Sequence, residues 1–314
     1  MYTESNTQKL EELADQIARA IRRRAYEMDT PSKGTPFKDG GCIVVQYFGS
    51  TPPFDNGQYK SYSYRYTIMD GEGFTVNDEN GLPIDCSIVA AMKIRSALQA
   101  NRLGDMSLLS GINPEVAAYP ANKRYVPYLG GLLAKIRNGA STGIIAWAVS
   151  GDTARMDLYC GAAGIEVLKT FPGITVINAP TRVDIEDAML AYDIAKACKD
   201  INCCSPLILG EKRFMNLAES STLMLALRAR KINPVLTEPN HYEPTIQKIS
   251  DFVKYETNRN PNDFFDICSY ATNALLETAQ GQPKDCIIVV RCSDLMSVLT
   301  PYLRGLNIPI CSIS

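Results

Sequence analysis

Hydrophobic residues recur every three or four positions through residues 7–28, at Leu10, Leu13, Ile17 and Ile21, with Glu11 and Glu12 early and Arg19 and Arg22 to Arg24 late. That spacing predicts an amphipathic helix, and the order of its charges suits the helix dipole. The period then shortens. Asp39-Gly40-Gly41, Pro52-Pro53, Asp55-Asn56-Gly57 and Asp70-Gly71 separate short β-prone runs between residues 31 and 86. In KSYSYRYTI, Tyr62, Tyr64, Tyr66 and Ile68 alternate onto one face, and Asn80-Gly81 has the chemistry of a tight hairpin turn. These features predict a small antiparallel meander. Only Lys60 and Arg65 interleave with the tyrosines, so the stripe is read as a packed sheet face rather than a base-stacking platform. Residues 87–100 return to helical spacing.

Pro114 and Pro120, within the stretch from Gly111 to Asn122, mark a boundary between a domain over 1–115 and another over 116–314. Beyond it the spacing predicts a helix over 124–137, a hairpin over 143–160 centred on Gly151-Asp152, a helix over 164–170 and a strand over 174–179. Helices and strands then alternate: helix 183–199, strand 206–210, helix 214–231 and strand 234–238. A helical stretch over 244–280, broken near Pro261, precedes strand 286–291, helix 294–305 and a final strand in PICSI. Short apolar, β-branched runs between amphipathic helices are the pattern of strands buried on both faces. The expected fold is therefore α/β, a mostly parallel sheet flanked by helices with an antiparallel hairpin, joined to a small α+β N-terminal domain. Trp147 is read as core. Asp152 is read as a turn former rather than as a metal-binding or acid–base partner of Asp157.

Composition narrows the function classes. A chain of 314 residues with 46% hydrophobic residues, 21% charged residues and a net charge of −2 is an ordinary globular sequence with no global attraction to nucleic acid or anionic membrane. It holds no apolar run of about eighteen residues, and its N-terminus, MYTESNTQKLEELAD, lacks the basic and apolar regions of an export signal. A cytoplasmic location is expected, with no membrane partner and no direct contact with nucleic acid. Of the ten cysteines, Cys42, Cys86, Cys160, Cys198, Cys268 and Cys286 fall inside apolar segments. Reduced, buried thiols are expected there.

The motifs of common chemistries are missing. There is no Gly-x4-Gly-Lys-Ser/Thr phosphate loop, no Gly-x-Gly-x-x-Gly after a strand and no Gly-x-Ser-x-Gly elbow. His241 is the single histidine, which excludes metal sites built from several imidazoles. Cys203 and Cys204 are adjacent, with Cys198 five residues earlier, but adjacent side chains point apart and no Cys-x-x-Cys occurs. No metal and no cofactor is expected. One positional argument remains, because ligands of a parallel α/β sheet sit outside the carboxyl ends of its strands. Those ends carry Lys212, Arg213, Glu238, His241, Arg291 and Asp294. If the loops converge, Lys212, Arg213 and Arg291 would hold an anionic group, and Glu238 or His241 would handle a proton.

RYVPYLGGLLAKIRNG, the tryptophan-bearing segment and LYCGAAGIEVLKTFPGITV, spanning residues 124–177, together resemble the non-ATPase N-terminal region of HerA- and FtsK-like hexameric DNA-translocating ATPases. Without a phosphate loop, the resemblance implies a motor-less region or companion subunit and carries over no catalytic residue. PGITVINAP, EDAMLAYDIAKAC and SPLILGEKRF, over 172–214, are similar to the pyrimidine-binding half of thiamine-dependent 2-oxoacid dehydrogenases. The Gly-Asp-Gly motif of that family is absent, so no cofactor contact transfers to Glu211. The leading expectation is a noncatalytic binding or assembly module of a DNA-translocating or phage-related assembly, which self-associates or binds a protein partner. The alternatives are a small-molecule enzyme or ligand sensor using the strand-end loops, and a structural component of a phage or cellular assembly.

Overall fold

The computed structural model describes residues 4–28, 37, 40–49, 61–68, 73–77, 82–102, 108–111, 129–139, 141–210, 218, 221–234, 286–290 and 309–313. The chain divides into two compact units, Met1–Met189 and Leu190–Ser314.

The first unit contains α1 (Glu4–Glu27), β1 (Cys42–Gly49), β2 (Ser61–Thr67), β3 (Thr75–Asn77), β4 (Pro83–Asp85) and α2 (Cys86–Arg102). These are followed by β5 (Gly131–Asn138), β6 (Ser141–Ser150), α3 (Ala154–Gly161), α4 (Ala163–Thr170) and β7 (Ile174–Asn178). Five strands form one sheet in the order β2-β1-β6-β5-β7, with every neighbouring pair antiparallel. β3 and β4 pair separately, flanking Asn80-Gly81.

Side chains alternate along each strand, so the sheet has two distinct faces. On one, Cys86, Ala90, Ile94 and Ala97 of α2 pack against Cys42, Val44, Leu133, Ala146 and Ala148. On the other lie α1, α3 and α4. Trp147 is fully buried there, and its Nε1 donates to the Gly161 carbonyl at 2.7 Å. α4 approaches so closely that a Cβ on Gly164 would stand 2.7 Å from that nitrogen. The tyrosine stripe of β2 shares this face, with the Tyr66 hydroxyl donating to Asp15 of α1 at 2.7 Å. Tryptophan and tyrosine thus fill core positions while satisfying their polar ends.

α5 (Arg182–Asp200) runs across the division between the units. It begins at a reciprocal cap, in which the backbone N–H of Thr181 donates to the Asp184 carboxylate at 2.8 Å and that of Asp184 donates to the Thr181 hydroxyl at 3.1 Å. The second unit then holds β8 (Pro206–Gly210), α6 (Thr222–Ala229), β9 (Cys286–Val290) and β10 (Ile310–Ile313), whose strands form a parallel sheet in the order β10-β9-β8. Among the described residues, no helix is long and apolar enough to cross a membrane.

Mixed helix and strand content matches the expectation, but the single, mostly parallel sheet does not form. Three expected strands do pair in parallel, while the larger sheet is antiparallel and recruits β1 and β2 from before residue 116. Residues 131–137 of the helix expected over 124–137 belong to β5, and the hairpin is β5–β6 rather than 143–160. The physical reason lies at Gly139, which at φ +60° takes the first of the two positions between the paired residues Asn138 and Ser141, where a two-residue hairpin turn requires positive φ. The return strand expected over 154–160 is α3, because the Thr153 hydroxyl accepts from the backbone N–H of Met156 at 3.3 Å and caps a helix. The helix expected over 214–231 spans Thr222–Ala229. Residues 235–238 of the strand expected over 234–238, and the helices expected over 244–280 and 294–305, lie outside the described residues.

Candidate functional site

Lys93 occupies a position where a charge is costly. It lies on the stripe of α2 that also presents Ala90, Ile94 and Ala97 to the sheet, and it is 1% exposed. Its Nζ donates to Asp157 Oδ2 at 2.5 Å and to the Val149 carbonyl at 2.8 Å. Asp157 arrives from the opposite layer, where the Thr153 cap starts α3 and places it in the first turn. The other oxygen, Oδ1, accepts from the backbone N–H of Asp152 at 3.3 Å. Asp152 holds its turn, with one oxygen accepting from Thr153 N at 2.6 Å and the other from Phe37 N at 3.0 Å.

Two glycines make room for this junction. Gly130 has φ +105°, and a Cβ there would meet the Asp157 Cβ at 2.8 Å and Lys93 Nζ at 3.2 Å. At Gly131 a Cβ would press to 2.9 Å against the backbone of Lys93 itself. The pair therefore clamps α2 and α3, on opposite faces of the sheet, to the end of β6. Burial pushes the Asp157 carboxyl up to about 7, against the pull of the Lys93 ammonium. No substrate-sized space separates the two groups, and each serves the other's hydrogen-bonding needs.

Exposed charge segregates around the same sheet. β2 and β5 carry Arg65, Lys135 and Arg137 on the α2 side, beside the half-buried Phe48 and Ile144. The described residues of the five strands place no carboxylate on that face, but Asp85 of β4, whose carboxyl is lowered chiefly by hydrogen bonding from Ser87, lies close enough to Arg65 for the guanidinium to help lower it. Across the sheet, the N-terminal half of α1 exposes Glu11, Glu12 and Asp15.

The second unit holds a group of a different kind. α5 ends in a Schellman motif: Asn202 sits at φ +53°, Asn202 N donates to the Lys199 carbonyl at 3.2 Å, and Cys203 N donates to the Cys198 carbonyl at 2.8 Å. That motif brings the residues at its two ends together, here Cys198 and Cys203. β9 begins opposite Pro206 with Cys286. The sulfurs of Cys198, Cys203 and Cys286 all lie within 4.8 Å of one another and are buried. Cys203 and Cys286 are joined as a disulfide with Cα atoms 6.2 Å apart. Cys311 of β10 pairs with Ile288, and so faces the same side of the sheet as Cys286. Burial raises the Cys198 thiol to about 11.

Buried reduced thiols are found at Cys42, Cys86, Cys160 and Cys198, but the expectation fails at Cys286, which is bonded to Cys203. Cys198 and Cys203 stand five residues apart along the chain, but the helix end folds that interval back on itself. Cys268 lies outside the described residues, as do the strand-end candidates Lys212, Arg213, Glu238, His241, Arg291 and Asp294. Lys93 was missed, although a lysine spaced one turn from apolar neighbours on the buried side of a helix is itself a signal.

No protein-family model matches the chain, and no curated protein does. A solved structure, the crystal structure of a PduOC–heme complex, aligns with 54% of this chain and 95% of its own at 18% identity, with a TM-score of 0.29. At that TM-score the likeness assigns neither a fold nor a ligand to this chain.

Proposed function

We propose that Met1–Met189 is a noncatalytic assembly module whose copies associate head to tail, the strand face of one against the α1 face of the next. The observation that supports this reading is an uneven distribution of exposed charge. Arg65, Lys135 and Arg137 stand on one side of the sheet, and Glu11, Glu12 and Asp15 stand on the other. Opposite charges on opposite faces cannot meet within one molecule, but they complement each other between copies. A contact between two different faces is heterologous and produces a ring or a filament. The half-buried Phe48 and Ile144 add apolar area between the cations. The engagement of Lys93 with Asp157 also favours a binding role, since the buried ion pair of this unit is occupied in holding its layers together.

Light scattering over a range of protein and salt concentrations tests the reading. Mass is expected to rise with concentration at low salt and to fall as salt screens the contact. Lys135→Glu with Arg137→Glu is expected to abolish association. Mixing that variant with one carrying Glu11→Lys and Glu12→Lys is expected to restore it. A particle that stays monomeric at low salt and high concentration refutes the proposal.

A further inference from the structure

We propose that the second unit contains a thiolate metal site that opens and closes with the redox state of the Cys203–Cys286 pair. In the dithiol form Cys198, Cys203 and Cys286 hold one zinc-class ion, and in the disulfide form they cannot.

A Schellman turn closes on itself whatever its side chains are, and at the end of α5 both of its contacting positions are cysteine. This gives a preformed pair of soft ligands five residues apart on one rigid helix end. The third sulfur is delivered by a different element, the first residue of β9, in register with the strand that follows the turn. All three sulfurs lie within 4.8 Å of one another and are buried. Sulfurs sharing a tetrahedral ion with bonds of about 2.3 Å stand roughly 3.8 Å apart, so a small adjustment admits the ion. Parallel pairing places Cys311 on the same side of the sheet as Cys286, outside that group of three. Three thiolates supply most of a tetrahedral zinc shell, and soft sulfur ligands select zinc or copper(I) over magnesium and calcium.

The disulfide makes the site conditional, because bonded sulfurs are no longer thiolates. A trialkylphosphine opens it with water as co-reactant. Two electrons pass from phosphorus to the two sulfurs, each sulfur takes a proton from water, and the phosphine leaves as its oxide. A zinc ion then displaces one proton from each thiol that it binds. Reoxidation by a hydroperoxide returns the two electrons to that oxidant, re-forms the sulfur–sulfur bond and releases the ion.

Cobalt(II) titration of the full chain tests the proposal. After phosphine reduction and its removal, one equivalent of cobalt is expected to give tetrahedral visible bands with thiolate-to-cobalt charge transfer, and zinc is expected to bleach them. The oxidised chain is expected to give none. Cys198→Ser is expected to remove the charge-transfer band or shift the visible bands, whereas Cys204→Ser, at an exposed side chain, leaves the spectrum unchanged. Absence of the bands in the reduced wild-type chain overturns the proposal without recourse to any variant. So does a spectrum that is indifferent to Cys198→Ser, or one that is identical in oxidised and reduced chains. Light scattering is not involved, so this result is independent of the assembly reading.

Discussion

Removing one partner of the Lys93–Asp157 clamp exposes how much the first unit depends on it. Both side chains are nearly inaccessible, at 2% and 3%, and the ammonium divides its donors between Asp157 Oδ2 and the Val149 carbonyl. Asp157→Asn leaves the lysine charge buried opposite a neutral amide. Lys93→Met leaves a buried carboxylate and deprives Val149 of its donor. Breaking one side of a buried pair costs about 3–5 kcal/mol. For a unit of this size, each kcal/mol lowers Tm by about 2–4 °C, so each single variant should melt roughly 6–20 °C lower. The double variant Lys93→Met/Asp157→Asn strands no charge. Its loss should fall short of the sum of the singles by about 1–3 kcal/mol, the coupling expected of contacting residues. Trp147 is the single tryptophan, is fully buried in this unit and donates to Gly161, so its fluorescence during urea unfolding reads the right region. Single variants that each cost less than about 1 kcal/mol, or a double variant whose loss equals the sum, would refute the clamp.

The pH dependence of Asp157 has a definite sign. Its folded carboxyl lies near 7, above the ordinary value of about 4, so between those pH values the folded state keeps a proton that the unfolded chain has released. Its contribution to stability is complete below pH about 4 and declines as pH rises through about 7, so the urea midpoint of the wild-type chain should fall over that window; a midpoint that rises counts against the assignment. Gly164→Ala places a methyl 2.7 Å from the Trp147 ring nitrogen. A loss of about 1–3 kcal/mol and altered tryptophan emission are expected, and an unchanged urea midpoint would contradict the packing. The Cys203–Cys286 bond closes a separation of 83 residues. Measured without metal, its reduction should lower the stability of the second unit by up to about 4–5 kcal/mol in the loop-entropy account, and calorimetry showing no shift would place those cysteines apart.

Local signals were legible where the physics is local. The stripe of Leu10, Leu13, Ile17 and Ile21 determined α1, alternation of Tyr62, Tyr64 and Tyr66 determined β2, and the β-branched runs at 206–210 and 286–290 determined two strands of a parallel sheet. The signals for β5 and α3 were also present, in Asn138-Gly139 and in the capping Thr153, but a helical spacing of leucines and an alternation after Gly151 outweighed them. An apolar segment of that length satisfies either period until its neighbours are known.

The sequence by itself determined α1, β2 and the strands of the parallel sheet, which positions are apolar and which residue types are available for chemistry. It did so because backbone propensity, capping and amphipathic period act over a few residues. Only the tertiary structure decided that β1 and β6 lie side by side, that Lys93 faces Asp157 across 64 positions, and that Cys286 meets the end of α5. Those pairings arise from burying several separate surfaces at once. The preference of any one segment is silent about which distant partner will cover it.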